Sequence, residues 1–233
     1  MKIIGIALLL IMMASGSLWG IALMDGPEEE VPVTDRFFFG ITAYKDSFKG
    51  DFDGNLVLGN AAKVFFVPKL SSQHGFGLSF GRRLKSGLWS ISYLRAAHET
   101  TFRGIKGEST SNIIDVNGKA YLFRKLPVLP YILLGFTVPW ITVKDGAVQG
   151  YIPYDATYWG LGVNAGAGLA VPITKRLFFT AGFAYKFMGF MFITGPGKGK
   201  DVTNLYVDQY GSRREKILRM KGLNFEFGIG INI

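Results

Sequence analysis

The last twelve residues, Gly222 to Ile233, are compatible with few folds. Leu223, Phe225, Phe227, Ile229, Ile231 and Ile233 alternate without a break with Asn224, Glu226, Gly228, Gly230 and Asn232, the period of two that belongs to a β-strand. The second face is costly in an ordinary core. Gly228 and Gly230 have no side chain to pack, and Asn224, Glu226 and Asn232 each need a hydrogen-bond partner. A strand of about ten residues, with large groups toward lipid and small polar groups toward a lumen, removes that cost.

Composition agrees with a membrane barrel. The 233 residues are 48% hydrophobic and include 31 Gly, 20 Phe and 10 Tyr. Yet beyond the N-terminus no apolar run reaches the roughly 18 residues a spanning helix needs, so strands are left to cross the membrane. The formal charge of +9 is read as facing anionic lipid head groups, not nucleic acid. With no Cys, disulfides and thiolate metal sites are ruled out. Residues 1–22 read as a secretory signal, with Lys2, an apolar region from Ile3 to Met13 and a small-x-small site at Gly20-Ile21-Ala22; an uncleaved anchor is the alternative. Residues 23–34 form an acidic, Pro-containing lead-in, and 35–233 the barrel.

Period-two alternation predicts strands over about Arg36–Lys45, His74–Arg83, Leu88–Thr101, Ile113–Phe123, Tyr131–Val143, Tyr158–Val171, Leu177–Phe192 and the C-terminal stretch. The third loses its period after Arg95, where a bulge or the end of the lipid zone is expected, and Pro139 is expected to mark the membrane rim of the fifth. Short links after the second, fourth and sixth strands alternate with long or polar ones after the others, as periplasmic turns alternate with extracellular loops, which places both termini in the periplasm. Asn55 to Val67, inside the first loop, is strand-like and predicts a hairpin or short helix above the membrane, or else two more crossings in a ten-stranded barrel.

These patterns resemble the small outer-membrane barrels of Gram-negative bacteria, the class that includes the transmembrane domain of outer membrane protein A and the outer membrane protein W and X families. The resemblance is carried by Tyr131-Ile132-Leu133-Leu134-Gly135, by Leu161 to Leu169 and by the C-terminal strand. That strand resembles the signal read by the barrel assembly machinery, with Glu226, Gly228, Ile231 and Ile233 at its key positions, although it ends on Ile where that signal has an aromatic residue. The implied fold is an eight-stranded antiparallel up-and-down transmembrane β-barrel, and resemblance to the W family implies a narrow channel for small or amphipathic solutes.

Inward-facing candidates are Arg83, Asp115, Asn117, Lys119, Asn164, Lys186, Asn224 and Glu226. Charges of both signs can pair across the lumen, as a structural network that plugs a narrow barrel or as a gated polar path. Trp89, Tyr131, Trp140, Trp159, Phe179 and Tyr185 suit interfacial girdles, with carbohydrate stacking as the alternative for Trp140 and Trp159. In the last loop Arg213, Arg214 and Lys216 are expected either to contact lipopolysaccharide phosphates or to be solvated. Catalysis has little to stand on: the only histidines are His74 and His98, and His98-Glu99-Thr100 is the nearest approach to a lipid-hydrolysing site. Neither a phosphate-cradling Gly loop nor a metal-ligand pattern is present. The reading is a non-catalytic, monomeric outer-membrane protein without cofactor, its partners being outer-membrane lipid, lipopolysaccharide and the assembly machinery, and its lumen largely plugged.

Overall fold

The computed structural model describes residues 35–52, 56–58, 64–66, 73–102, 105–123, 126–149, 152–194 and 218–233. The expected signal and lead-in, and Arg213, Arg214 and Lys216, lie outside the described residues. The strands are β1 (Arg36–Gly50), β2 (Leu56–Leu58), β3 (Val64–Phe66), β4 (Gln73–Leu84), β5 (Gly87–Phe102), β6 (Ile105–Tyr121), β7 (Leu129–Gln149), β8 (Ile152–Pro172), β9 (Leu177–Thr194) and β10 (Leu218–Asn232).

Eight of these close into an antiparallel barrel in the order β1-β10-β9-β8-β7-β6-β5-β4. Closure comes from β1, which pairs with β4 on one edge and with β10 on the other. The hairpin expected in the first loop is β2 with β3, a two-stranded sheet of its own, so the ten-stranded alternative is excluded. Because the barrel strands are even in number, β1 begins and β10 ends at the same end, where the Ile233 N–H donates to the Phe37 carbonyl at 2.9 Å. This end also holds the short links 85–86, 122–128 and 173–176 and is called the turn end below.

Strand lengths depart from the sequence reading at the other end. The sixth predicted strand begins near Tyr158, but β8 starts at Ile152 and β7 runs on to Gln149, so what reads as a long loop is mostly paired strand. Likewise β6 starts at Ile105, eight residues before the predicted Ile113. Once clear of lipid a hairpin needs no apolar face, so Glu108-Ser109-Thr110-Ser111 keeps the backbone ladder after losing the hydropathy signal. No bulge follows Arg95, since β5 and β6 hold one register from Gly87 to Phe102. Pro139 does not end β7. It sits where the β7–β8 ladder is interrupted, between Thr137↔Gly162 and Trp140↔Trp159, which spares it a donor it lacks.

The two faces of the barrel wall differ as the alternation requires. Phe76 and Ile41 on the outward face are 73% and 64% exposed, and Leu78, Val163, Phe227 and Ile229 are likewise exposed. A band of apolar side chains all round the barrel is paid for only in lipid, so this is a membrane-spanning barrel. The inward face is layered. Toward the loop end Phe48, Phe52, Tyr158, Met188, Phe190 and Met220 form an apolar cluster. Toward the turn end Phe38, Leu88 and Phe178 pack in one group, and Tyr121, Leu129, Tyr131 and Leu133 in another. Between these ends lies a polar layer.

Candidate functional site

Cross-strand register assembles the polar layer. Asn117, Gly135, Asn164 and Lys186 stand opposite one another in turn on β6, β7, β8 and β9. Gly135 has a structural reason: a Cβ there would run into the side-chain oxygens of both Asn117 and Asn164, so glycine makes room for two amides. Next to this row Lys186 Nζ lies 2.6 Å from Asp115 Oδ2, with both side chains wholly buried. On the adjoining strands the Asn224 amide donates to Asp46 Oδ1, again fully buried. Asp46, Asp115 and Lys186 thus bring two carboxylates and one ammonium into the same buried layer. Ions so enclosed persist only when paired and hydrogen-bonded.

Nearer the turn end the polar groups are hydroxyls, cations set over aromatic rings and the Glu226 carboxylate. Hydroxyls of Thr42, Ser79 and Ser92 form a chain with separations of 3.3 and 2.9 Å. They border a cavity of about 30 Å³ that Lys119 and Glu226 also line. Lys119 Nζ sits 5.0 Å above the Tyr131 ring, and the buried Arg83 guanidinium 5.0 Å from the Phe178 ring. Cation–π placement lowers the cost of enclosing such charges, and Lys119 also shares its cavity with the Glu226 carboxylate. Tyr131 fits because Gly168 and Gly182 lie opposite each other on β8 and β9; a Cβ at either would overlap its side chain.

The structure therefore brings Asp115, Asn117, Asn164, Lys186 and Asn224 into the buried layer, with Lys119, Glu226 and Arg83 below it toward the turn end. Sequence reading missed Tyr44, Asp46 and the Thr42–Ser79–Ser92 chain. The first predicted strand stops at Lys45 because its outward face turns polar there, at Lys45, Ser47 and Lys49. Its inward alternation of Thr42, Tyr44, Asp46 and Phe48 continues, and that signal would have found Asp46. Tyr131 is a correction: expected in a girdle, it is buried inside. It shares the inward parity of Leu129 and Leu133, which outranks the preference of tyrosine for interfaces. Trp140 and Trp159 do face outward, stacked with centroids 5.5 Å apart.

Hydrolytic chemistry finds no assembled site among the described residues. His98 faces Ser109 across β5 and β6, but neither His98 Nε2 nor Ser109 Oγ has a hydrogen-bond partner there, and the hydroxyl is enclosed. A nucleophile and base would have to be joined. In the C-terminal strand, Glu226 and Gly228 have inward parity, while Ile231 and Ile233 are outward and exposed.

No family model matches the chain, and no curated protein matches it. Among solved structures it is similar to Neisserial surface protein A (NspA), at 16% identity over 84% of this chain and 97% of that one, with a TM-score of 0.49. It is also similar to Ail, the attachment invasion locus protein of Yersinia pestis, at 11% identity over 85% and 99%, with a TM-score of 0.45. A third is the outer membrane protein OprG from Pseudomonas aeruginosa, at 13% identity over 88% and 99%, with a TM-score of 0.47. At such identities the description of this chain as a closed eight-stranded barrel rests on its own strand pairing.

Proposed function

We propose that the chain is a non-catalytic outer-membrane protein whose lumen is a closed core and whose role lies at its outward surface and loops. One observation carries the closed lumen: Phe52, from the segment after β1, is buried in the barrel mouth with its ring 5.4 Å from that of Tyr158 and 4.7 Å from that of Phe190. Beneath this apolar stopper Lys186 pairs with Asp115 and Asn224 with Asp46, and toward the turn end Phe38, Leu88 and Phe178 pack together beside the small cavity. In this reading an ion would have to pass an apolar cluster at each end of the lumen, and apolar constrictions exclude ions by dewetting.

In this reading the turn end and both termini face the periplasm, as short turns and longer loops are distributed in such barrels. Glu226, Gly228, Ile231 and Ile233 serve as the strand read by the assembly machinery. Arg213, Arg214 and Lys216 contact lipopolysaccharide phosphates, a role consistent with Arg219 and Lys221 at the start of β10, both exposed. The chain works as a monomer. The test is planar-bilayer conductance of the folded chain: no discrete steps are expected, and steps that change with Lys119→Ala or Glu226→Ala would establish the competing reading, a narrow solute channel.

A further inference from the structure

The membrane-facing wall of β10, β1 and β4 combines two features. At its middle the small Ala43 stands between Phe227 and Phe76 on the neighbouring strands. With Ile41, Leu78 and Ile229 they border an apolar groove of about 860 Å³. One outward position further toward the loop end, the chemistry reverses. Lys45 stands opposite His74 on β4, and Lys49 stands directly opposite Lys221 on β10. Arg95 follows on β5 opposite Phe76. All five side chains are exposed, and none of them forms an ion pair with a described residue. Asp51, at the end of β1, accepts the Arg219 backbone N–H at 2.8 Å.

Facing like charges destabilise a strand pair unless an anion lies between them. Lysines directly above a lipid-facing groove are placed where head groups meet acyl chains. From Lys45 to Lys49 the strand rises about 13 Å, so one phosphate does not engage both ends of the cluster. We propose that this wall binds an acylated lipid whose headgroup carries more than one phosphate, an acyl chain lying in the Ala43 groove and the phosphates held by Lys45, Lys49 and Lys221. The inference rests on the membrane-barrel reading. It concerns the outer wall, apart from the lumen and from the last loop.

The test is native mass spectrometry of the folded chain released from micelles containing cardiolipin, which has two phosphates, or phosphatidylcholine with the same acyl chains. The bound fraction should be roughly tenfold higher for cardiolipin, and Lys45→Gln/Lys49→Gln/Lys221→Gln should bring it to within about twofold of phosphatidylcholine. Ala43→Phe, which fills the groove from a half-buried outward position, should also lower cardiolipin retention. Pyrophosphate, a headgroup mimic without chains, should not displace it. Equal retention of the two lipids overturns the site, as does a preference that survives the triple lysine variant or Ala43→Phe. If the triple variant does not fold, the two-lipid comparison and Ala43→Phe decide. A chain that never gains the heat-dependent gel mobility of a folded barrel would instead contradict the membrane-barrel reading itself.

Discussion

Lys186 Nζ and Asp115 Oδ2 lie 2.6 Å apart with neither side chain exposed, joining β9 to β6 across the inside of the barrel and not along its wall. Breaking such a pair strands a charge. Lys186→Met should therefore lower barrel stability by about 3–5 kcal/mol, whereas Lys186→Met combined with Asp115→Leu should recover much of the loss. Denaturant titration in lipid vesicles, read by gel mobility, measures both. A deficit that the second substitution leaves unchanged would mean that Lys186 acts by packing alone.

Phe52 tests the stopper. Truncating a buried aromatic ring typically costs about 3–5 kcal/mol, and Phe52→Ala should fall toward the low end because its segment lies at the barrel mouth. The variant should still fold and should pass more current in bilayer recordings than the parent, which is expected to pass none in discrete steps. Phe190→Ala, which removes the ring 4.7 Å away, should behave alike, and the double variant should cost less than the sum.

The fit of Tyr131 against Gly168 and Gly182 predicts that added volume is harmful here although the site borders a lumen. Gly182→Val should destabilise by about 1–3 kcal/mol through overpacking, and Tyr131→Leu in the same chain should relieve part of it. Additive effects in a double-mutant cycle would contradict the contact.

These residues also show what the sequence makes legible. Parity within a strand survives translation into structure, so Asp115, Asn117, Lys186 and Asn224 are found on the inside from alternation alone. Strand ends do not survive it. Outside lipid the outward face has no reason to be apolar, so β1 loses its signal at Lys45 and hides Asp46, and β7 and β8 continue to Gln149 and from Ile152 where the pattern stops at Val143 and starts at Tyr158. Nor does alternation show which inward groups meet: Asp115 and Lys186 are 71 residues apart and come together only when the barrel closes. The inward apolar ends were masked differently. Phe190 reads as an ordinary strand residue and Phe48 lies beyond the first predicted strand, until Phe52 joins them in one cluster.

The final strand makes a prediction about assembly. Ile233 is exposed at the seam, held by its backbone N–H to the Phe37 carbonyl. If it stands at the aromatic position of the assembly signal, Ile233→Phe should raise the fraction of heat-modifiable barrel in outer-membrane preparations without changing unfolding midpoints in vesicles. Ile231→Asp should lower both, since it also places a charge on the lipid face.

The account depends most on which side of the wall meets lipid. Methyl-resolved nuclear magnetic resonance of the folded chain in lipid nanodiscs, with and without a nitroxide confined to the acyl region, reads this directly and without mutation. Methyl signals of Ile41, Leu78, Val138, Val163 and Ile229 should broaden strongly, while those of Leu94, Ile113, Leu133 and Leu218 should be spared. Equal broadening of the two sets, or broadening of the second set alone, would contradict the barrel as described.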